Sequence, residues 1–228
     1  MEQRATILEL PIFPLGTVLF PGMPLPLHIF EERYKKMIGR CLEGDRAFGV
    51  TLLKSGREVG GPATPYEIGT IARIVRAVKF DDGRYDLRTR GASRYHILDS
   101  QYESGGYITA RVELLDEDED DLTRLAALRS TVEDHFEQYF AELAEITGTK
   151  LDSLSLPDDP TATSYFVAHY LPVYAWEKQR LLEATSSDTR LQEELRLLRR
   201  ERGMIREFGA LPPIYQVDDS VNPRLALN

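Results

Sequence analysis

The chain has 228 residues, of which 42% are hydrophobic and 29% are charged, and its formal net charge is −9. This composition is typical of a folded protein, and the length is enough to bury a core without disulfide or metal crosslinks. No stretch approaches the ~18 consecutive apolar residues of a membrane-spanning helix, and residues 1–10 lack the basic start and apolar core of a secretory signal. The single cysteine, Cys41, can form no internal disulfide, which agrees with a reducing compartment. We therefore expect a cytoplasmic protein without membrane contacts.

The charge is divided unevenly along the chain. Residues 1–115 contain 16 basic and 14 acidic side chains, a net charge of +2, whereas residues 116–228 contain 12 basic and 23 acidic side chains, a net charge of −11. An acidic surface repels a phosphate backbone. The second half therefore disfavours nucleic acid, which would have to bind to the first half alone.

The first half is predicted to be rich in strands, because short runs of β-branched and aromatic residues alternate with proline and glycine. Five prolines between positions 11 and 26 divide its start into short extended pieces, since proline lacks a backbone donor. One helix is predicted over 31–43, where apolar residues recur every three or four positions up to Gly44. Six or so strands imply a twisted sheet or a partly closed barrel. The clearest are 6–13, 48–53, 68–80, 85–91 and 108–114.

Residues 68–80 and 85–91 are predicted to pair as a hairpin, because Gly83 in the intervening turn can take a positive φ. Strand alternation should place Tyr85, Leu87 and Thr89 on one face and Asp86, Arg88 and Arg90 on the other. Basic residues crowd this hairpin. They could contact phosphates, or they could pair with Asp81, Asp82 and Asp86 on a solvated face. They are Arg73, Arg76, Lys79, Arg84, Arg88, Arg90 and Arg94.

The second half is predicted to be a helical bundle. It starts with six consecutive acidic residues, 116–121, which cannot pack and indicate a solvated boundary. An amphipathic helix over 122–146 follows and ends at Gly148, and further helical patterns cover 161–171, 174–184 and 188–208. The last residues, 209–228, contain prolines without periodicity and are predicted to be extended or partly disordered.

Motifs for catalysis are absent from the sequence. There is no G-x-x-x-x-G-K-[ST] phosphate loop, and Gly91 to Tyr95 begins like a nucleophile elbow but lacks the second glycine. The four histidines stand at no helix-face spacing that would hold a metal; they are His28, His96, His135 and His169. We therefore predict no enzyme activity, no cofactor and no metal site.

An apolar segment on a rigid backbone is the candidate binding site. Residues 20–25 read FPGMPL, and the two prolines limit how much of this segment can join regular structure. These side chains could plug one end of a barrel, or they could form an open patch that takes hydrophobic segments of other proteins. The predicted peptide-binding residues are Phe20, Met23 and Leu25, with Tyr66 on the glycine-rich loop as a second wall.

Several segments together resemble the N-terminal, substrate-binding domain of Lon proteases. The first are LPIFPL at 10–15, LFPG at 19–22 and PLHIFEERY at 26–34. Later pieces follow in the same order: FGV at 48–50, GTIARI at 69–74, DGRY at 82–85, RGASRY at 90–95, and EKQRLLE at 177–183 with Arg190 and Leu191. The resemblance covers about residues 6–207, which is nearly the whole chain.

The resemblance implies an α+β fold, in which a PUA-like six-stranded pseudobarrel with one helix precedes a helical bundle. The corresponding lobes are 1–115 and 116–208, followed by the tail 209–228. It also implies a non-catalytic module that recognises unfolded or degron-bearing proteins. Neither a phosphate loop nor a Lon-like serine nucleophile motif is present, so we expect a stand-alone binding protein rather than a protease.

Two other functions stay open at this stage. PUA-like barrels include RNA-binding modules, and the Arg-rich hairpin could serve that role. The protein could also bind a separate full-length Lon-type protease as a regulator. The sequence identifies neither the physiological client nor the oligomeric state.

Overall fold

Seven strands and five helices make up the described part of the computed structural model, which covers residues 6–56, 63–118, 120–148 and 155–208. The strands are β1 (Ile7–Leu15), β2 (Pro24–Ile29), β3 (Ala47–Gly56), β4 (Ala63–Pro65), β5 (Ile68–Lys79), β6 (Tyr85–Tyr102) and β7 (Ile108–Leu115). The helices are α1 (Glu32–Glu43), α2 (Leu122–Thr147), α3 (Pro160–Tyr170), α4 (Ala175–Glu183) and α5 (Ser187–Phe208). The strands and one helix come first and four helices follow, which confirms the predicted α+β class. The predicted tail, 209–228, lies outside the described residues.

The chain divides into two compact units. The first, here called the strand unit, consists of Met1–Glu117 and Lys178–Glu183, and the second, the helical unit, consists of Asp118–Glu177 and Ala184–Asn228. The second half of α4 therefore belongs to the strand unit. The predicted lobes, 1–115 and 116–208, place all of α4 in the second lobe.

The strands form one sheet in the order β1-β7-β6-β5-β3-β4. In addition, β2 pairs with β6, and β1 pairs with β3 in parallel, whereas the other pairings are antiparallel. The number of strands is seven rather than the predicted six, and one of them is β4, which has only three residues. The barrel geometry implied by the resemblance remains a prediction.

A tyrosine enclosed by glycines fixes the centre of the strand unit. Tyr95 on β6 has 0% relative exposure, and its hydroxyl donates to the carbonyl oxygen of Val50 at 3.2 Å. A Cβ atom built on Gly49 would lie 2.6 Å from the Tyr95 hydroxyl, and one on Gly69 would lie 2.5 Å from it. Because real Cβ atoms do not approach other atoms so closely, these two positions must be glycine for the ring to fit.

Side-chain caps fix the starts of α2 and α3. The Asp121 carboxylate accepts from the backbone N–H groups of Thr123 and Arg124, and Gly148 ends α2 with φ +65°. Asp159 likewise accepts from the N–H of Ala162 at the start of α3. Such caps satisfy the unpaired N–H groups of the first turn and stabilise each helix by ~1 kcal/mol. The acidic run therefore serves in part as a helix start, as its position before an apolar repeat suggests.

Candidate functional site

The structure places Phe20 in the core, not on a surface. Its relative exposure is 0%, although it lies in the proline-rich segment that was predicted to bind peptides. The backbone carbonyl of Phe20 accepts from the N–H of Met23 at 3.1 Å, so the segment folds back as a tight turn. Such a turn carries the Phe20 side chain inwards, and this residue cannot contact a peptide in the present conformation.

The other predicted contact residues are partly accessible. Met23 and Leu25 are half-buried and pack against the main apolar cluster of the strand unit. Tyr66 lies beside β3, where its backbone N–H donates to Leu52, and the Lys54 ammonium lies 5.9 Å from its ring centroid. The structure therefore brings Phe20, Met23 and Leu25 together, and places Tyr66 beside another strand.

A larger accessible surface is formed by the outer face of three neighbouring strands, β5, β6 and β2. Alternation along β6 buries Tyr85, Leu87 and Thr89 and exposes Asp86, Arg88 and Arg90, which confirms the predicted pattern. The pairings arrange the outer residues in cross-strand rows. These rows are Arg73–Arg90–Pro24, Arg76–Arg88–Pro26 and Val78–Asp86–His28.

One end of this outer face is apolar. Phe30 is 51% exposed, Val78 is 40% exposed and Phe80 is 39% exposed. The His28 ring lies between the phenylalanines, with its centroid 6.2 Å from that of Phe30 and 6.5 Å from that of Phe80. We call His28, Phe30, Val78 and Phe80 the apolar corner. It is the exposed aromatic cluster that reasoning from the sequence missed, because it combines residues from two strands that only the register brings together.

A small depression opens beside Phe30. Its volume is about 100 Å³, and its walls come from β1, β2 and the start of α1. The lining is mainly Phe13, Leu15, Leu27, Ile29, Phe30 and Tyr34. A cavity of ~150 Å³ is enough to hold benzene, so this depression suits one aliphatic side chain. We call it the notch.

A histidine–aspartate pair also lies on this face. The Nδ1 atom of His28 is 2.6 Å from an Asp86 carboxylate oxygen, and its Nε2 atom is 3.5 Å from the Arg84 guanidinium. Sequence spacing did not indicate this pair, because it depends on the register between β2 and β6. A general base accepts a proton from a nucleophile. The group beside Nε2 of His28 is the Arg84 guanidinium, which keeps its protons at neutral pH and therefore gives His28 no proton to accept. The pair therefore arranges charge on the surface and lacks the geometry of a catalytic dyad.

The basic residues of the hairpin have different environments. Arg84 pairs with Asp82 at 2.6 Å. Arg94 is only 3% exposed; it pairs with Glu117 at 2.9 Å and donates to the carbonyl oxygen of Leu182. The Lys79 ammonium lies 5.6 Å from the ring centroid of Tyr85. The predicted pairing with hairpin carboxylates therefore holds for Arg84 alone among these residues.

The remaining four arginines share the exposed outer face. Within the described residues, none of their side chains makes a hydrogen bond, an ion pair or a ring contact. They are Arg73, Arg76, Arg88 and Arg90, and we call them the arginine face. It adjoins the apolar corner through the row of Val78, Asp86 and His28.

Polar residues of the segment 177–183, which carries part of the family resemblance, have structural partners. Glu177 accepts two bonds from the Arg200 guanidinium within the helical unit, and these bonds lower the pKa of this carboxyl against the opposing effect of burial. The Gln179 amide donates to the carbonyl oxygen of Ile68 and to Glu183 within the strand unit. These side chains stabilise the two units, so the motif gives no sign of catalysis.

Two other features bear on the chemistry available. Cys41 is buried, and burial raises the pKa of its thiol to about 11, so it is not an activated nucleophile. Among the residues that the structure describes, no group of three or more His, Cys, Asp or Glu side chains could hold a metal ion. In the same part of the chain, no helix is long and apolar enough to cross a membrane.

The sequence matches a known family over most of its length. The model of the ATP-dependent protease La (LON) substrate-binding domain matches residues 9–200. The chain belongs to this family. The predicted resemblance is therefore confirmed, and membership in a family of substrate-binding domains supports the role of a substrate-binding module.

Curated relatives of the chain are longer proteins. The Lon protease of Anaeromyxobacter dehalogenans is 28% identical over 200 residues, which is 86% of this chain and 24% of that protein. The Lon protease of Escherichia coli K12 is 25% identical over 201 residues, which is 87% of this chain and 26% of that protein. The chain thus spans about a quarter of the length of the curated relatives it matches.

Solved structures agree with the family assignment. The Lon N-terminal domain protein from Xanthomonas campestris has a TM-score of 0.63 and 26% identity, covering 83% of this chain and 98% of that chain. The N-terminal domain of the Mycobacterium avium complex Lon protease also has a TM-score of 0.63, covering 84% and 98%, but only 17% identity. The second similarity shows the fold alone.

Proposed function

We propose that this protein binds extended apolar segments of unfolded or damaged polypeptides through its apolar corner, with one side chain of the bound segment entering the notch. The observation that carries the proposal is the pair of partly exposed phenylalanines, Phe30 and Phe80, beside an apolar depression on a paired sheet. Membership in a substrate-binding family supports a binding role. The relatives are named as proteases, whose substrates are polypeptides.

The accessible area limits the affinity. A phenylalanine side chain can bury ~200 Å², so exposures of 51% and 39% leave roughly 100 and 80 Å² for a ligand. At ~25 cal/mol per Å² this area contributes about 4–5 kcal/mol before the cost of ordering the peptide. A Kd of 1 μM requires about 8 kcal/mol. We therefore expect binding weaker than micromolar from these two rings, which suits a module that captures and releases many clients.

Met23, Leu25 and Tyr66 remain proposed contacts. Met23 precedes β2 and Leu25 is its second residue, and both pack against the main apolar cluster on the inner side of this strand. Tyr66 lies beside β3, apart from the apolar corner. Phe20 is left out of the proposed site because it is enclosed. We propose binding as the activity of the module, and its cytoplasmic location remains a prediction.

The double variant Phe30→Ala/Phe80→Ala tests the proposal. Fluorescence anisotropy with a labelled, uncharged 15-residue peptide carrying Leu and Phe at alternate positions should show a loss of affinity of about tenfold or more. The matched control is Leu98→Ala/Tyr102→Ala, which removes two side chains of 40% and 56% exposure from β6. Equal losses in both double variants, or no loss in the first, would refute the assignment. Melting temperatures should fall by similar amounts in both double variants, because the two pairs of side chains are buried to similar extents.

A further inference from the structure

The arginine face contains two directly opposed pairs of like charges. Arg73 on β5 stands opposite Arg90 on β6, and Arg76 stands opposite Arg88. Opposed side chains on neighbouring strands begin about 5 Å apart, and like charges at such positions destabilise a sheet. Because these opposed charges do not stabilise the sheet, their presence points to a role in binding rather than in folding.

The acidic residues of the same hairpin do not neutralise these arginines. Asp86 binds His28, and Asp82 binds Arg84. Within the described residues, Arg73, Arg76, Arg88 and Arg90 are all exposed and make no ion pair. The strand unit therefore presents four uncompensated positive charges, although the whole chain has a net charge of −9.

Resting on the proposed function, we infer that the outer face selects extended polypeptide segments with acidic side chains at two alternate positions, followed at the same spacing by apolar side chains. The acidic side chains lie on the arginine face, and the apolar side chains lie on the apolar corner. The bound pattern is Glu-x-Glu-x-Phe-x-Phe or its reverse, with Asp, Leu or Tyr as equivalents.

The spacing of the rows supports an extended peptide. Alternate residues of a strand lie about 6.8 Å apart on one face, which separates Arg88 from Arg90 on β6. An extended peptide lying along β6 repeats its side chains at the same interval, so each acidic residue can approach one opposed arginine pair. Two further steps bring it to the row of Val78, Asp86 and His28, in which Asp86 is bound to His28, and then to Phe30 and Phe80. The positions for acidic side chains of the peptide and those for its apolar side chains therefore follow one another in a fixed order along β6.

Two other occupants fit the face less well. Three residues of the acidic run of a second copy are already engaged: Glu117 pairs with Arg94, Asp120 accepts from the N–H of Asp188, and Asp121 caps α2. Nucleic acid is disfavoured because the whole chain has a net charge of −9, which repels a phosphate backbone.

The experiment compares two labelled peptides that contain the pattern above, one with Glu and one with Gln at the two acidic positions. In fluorescence anisotropy at low salt, the Glu peptide should bind about tenfold more tightly than the Gln peptide, and the difference should shrink to less than about threefold in 0.5 M salt. The variant Arg76→Gln/Arg88→Gln, which keeps the pair Arg73 and Arg90, should reduce the difference to about threefold and leave the affinity for the Gln peptide unchanged. Its melting temperature should not fall, because the change removes one repulsive pair.

The control variant is Arg111→Gln/Arg124→Gln, which removes the same charge from side chains that are 59% and 65% exposed elsewhere. It should keep most of the preference for Glu. Equal affinity of the two peptides for the unmodified protein overturns the inference, as does an equal loss in both double variants. Tighter binding of a single-stranded oligouridine that depends on Arg76 and Arg88, or a salt-sensitive dimer lost in the same variant, assigns the face to another occupant and also overturns it. The Gln peptide tests the proposed function separately, since it has no charge at these positions.

Discussion

Replacing Phe20 with alanine distinguishes a core residue from a contact residue. The side chain has 0% relative exposure, so the substitution leaves a cavity in the strand unit. Phe→Ala changes in cores destabilise by about 3–5 kcal/mol. Typical domains have an unfolding free energy of about 5–15 kcal/mol. We therefore expect Phe20→Ala to remove a large part of the stability of the strand unit.

The assay is urea denaturation followed by far-UV circular dichroism. With a slope of about 1–3 kcal/mol per M, the expected loss lowers the midpoint by at least about 1 M. Phe30→Ala is the control, because this ring is 51% exposed and should shift the midpoint by much less. The single tryptophan, Trp176, lies in the helical unit. Its fluorescence does not report on the strand unit directly, so hydrogen exchange of the strands should accompany the measurement.

An unchanged midpoint would refute the reasoning. If Phe20→Ala left the unfolding curve unaltered but abolished peptide binding, the side chain would be a contact residue, as the sequence predicts. If both stability and binding were lost, the binding assay would need to be repeated at a temperature at which the variant is folded. If Phe20 is a core residue, the folded Phe20→Ala variant should still bind the peptide at that temperature.

Three further predictions concern two glycines and one buried carboxyl. Gly69→Ala should destabilise the strand unit by several kcal/mol, because the new Cβ atom would lie 2.5 Å from the Tyr95 hydroxyl. Gly203 on α5 has open space around it, so Gly203→Ala should stabilise the protein by up to ~1 kcal/mol. The midpoints of urea denaturation check both predictions. Burial raises the pKa of Glu194 well above its ordinary value of 4.5. At pH values between 4.5 and the raised pKa, this carboxyl is protonated in the folded state and ionised in the unfolded state. The unfolding free energy should therefore fall with rising pH in this window, by at most about 1.4 kcal/mol per pH unit. Glu194→Gln should remove that slope, and a slope retained in this variant would contradict the assignment.

Local patterns in the sequence predict the elements well where burial follows the backbone period. The alternation from Tyr85 to Arg90 correctly predicts which side chains are buried, because one face of β6 packs on the core. The apolar repeat that precedes Gly44 likewise predicts α1 to within a residue. In both cases the side-chain environment is set by neighbours a few positions away.

Features that depend on distant partners could not be predicted from these patterns. The 18 residues of β6 continue through Gly91, where the sequence suggests an end, because different segments of the strand pair with β2, β5 and β7. The burial of Phe20 depends on a turn that folds its segment back on itself. The uncompensated arginines depend on register, since the same residues could have faced the carboxylates of the hairpin.

The edge of β2 favours docking on the face of the sheet over strand addition. Within the described strands, β2 pairs with β6 alone, so its other edge could in principle accept an extended peptide by backbone hydrogen bonds. Pro24 and Pro26 occupy alternate positions of β2 and lack the N–H groups that such pairing requires. A ligand must then be recognised through side chains, and the outer face offers those in ordered rows. Because recognition by side chains discriminates sequence more than backbone pairing does, the prolines and the arginine face together support the proposed selection among extended segments.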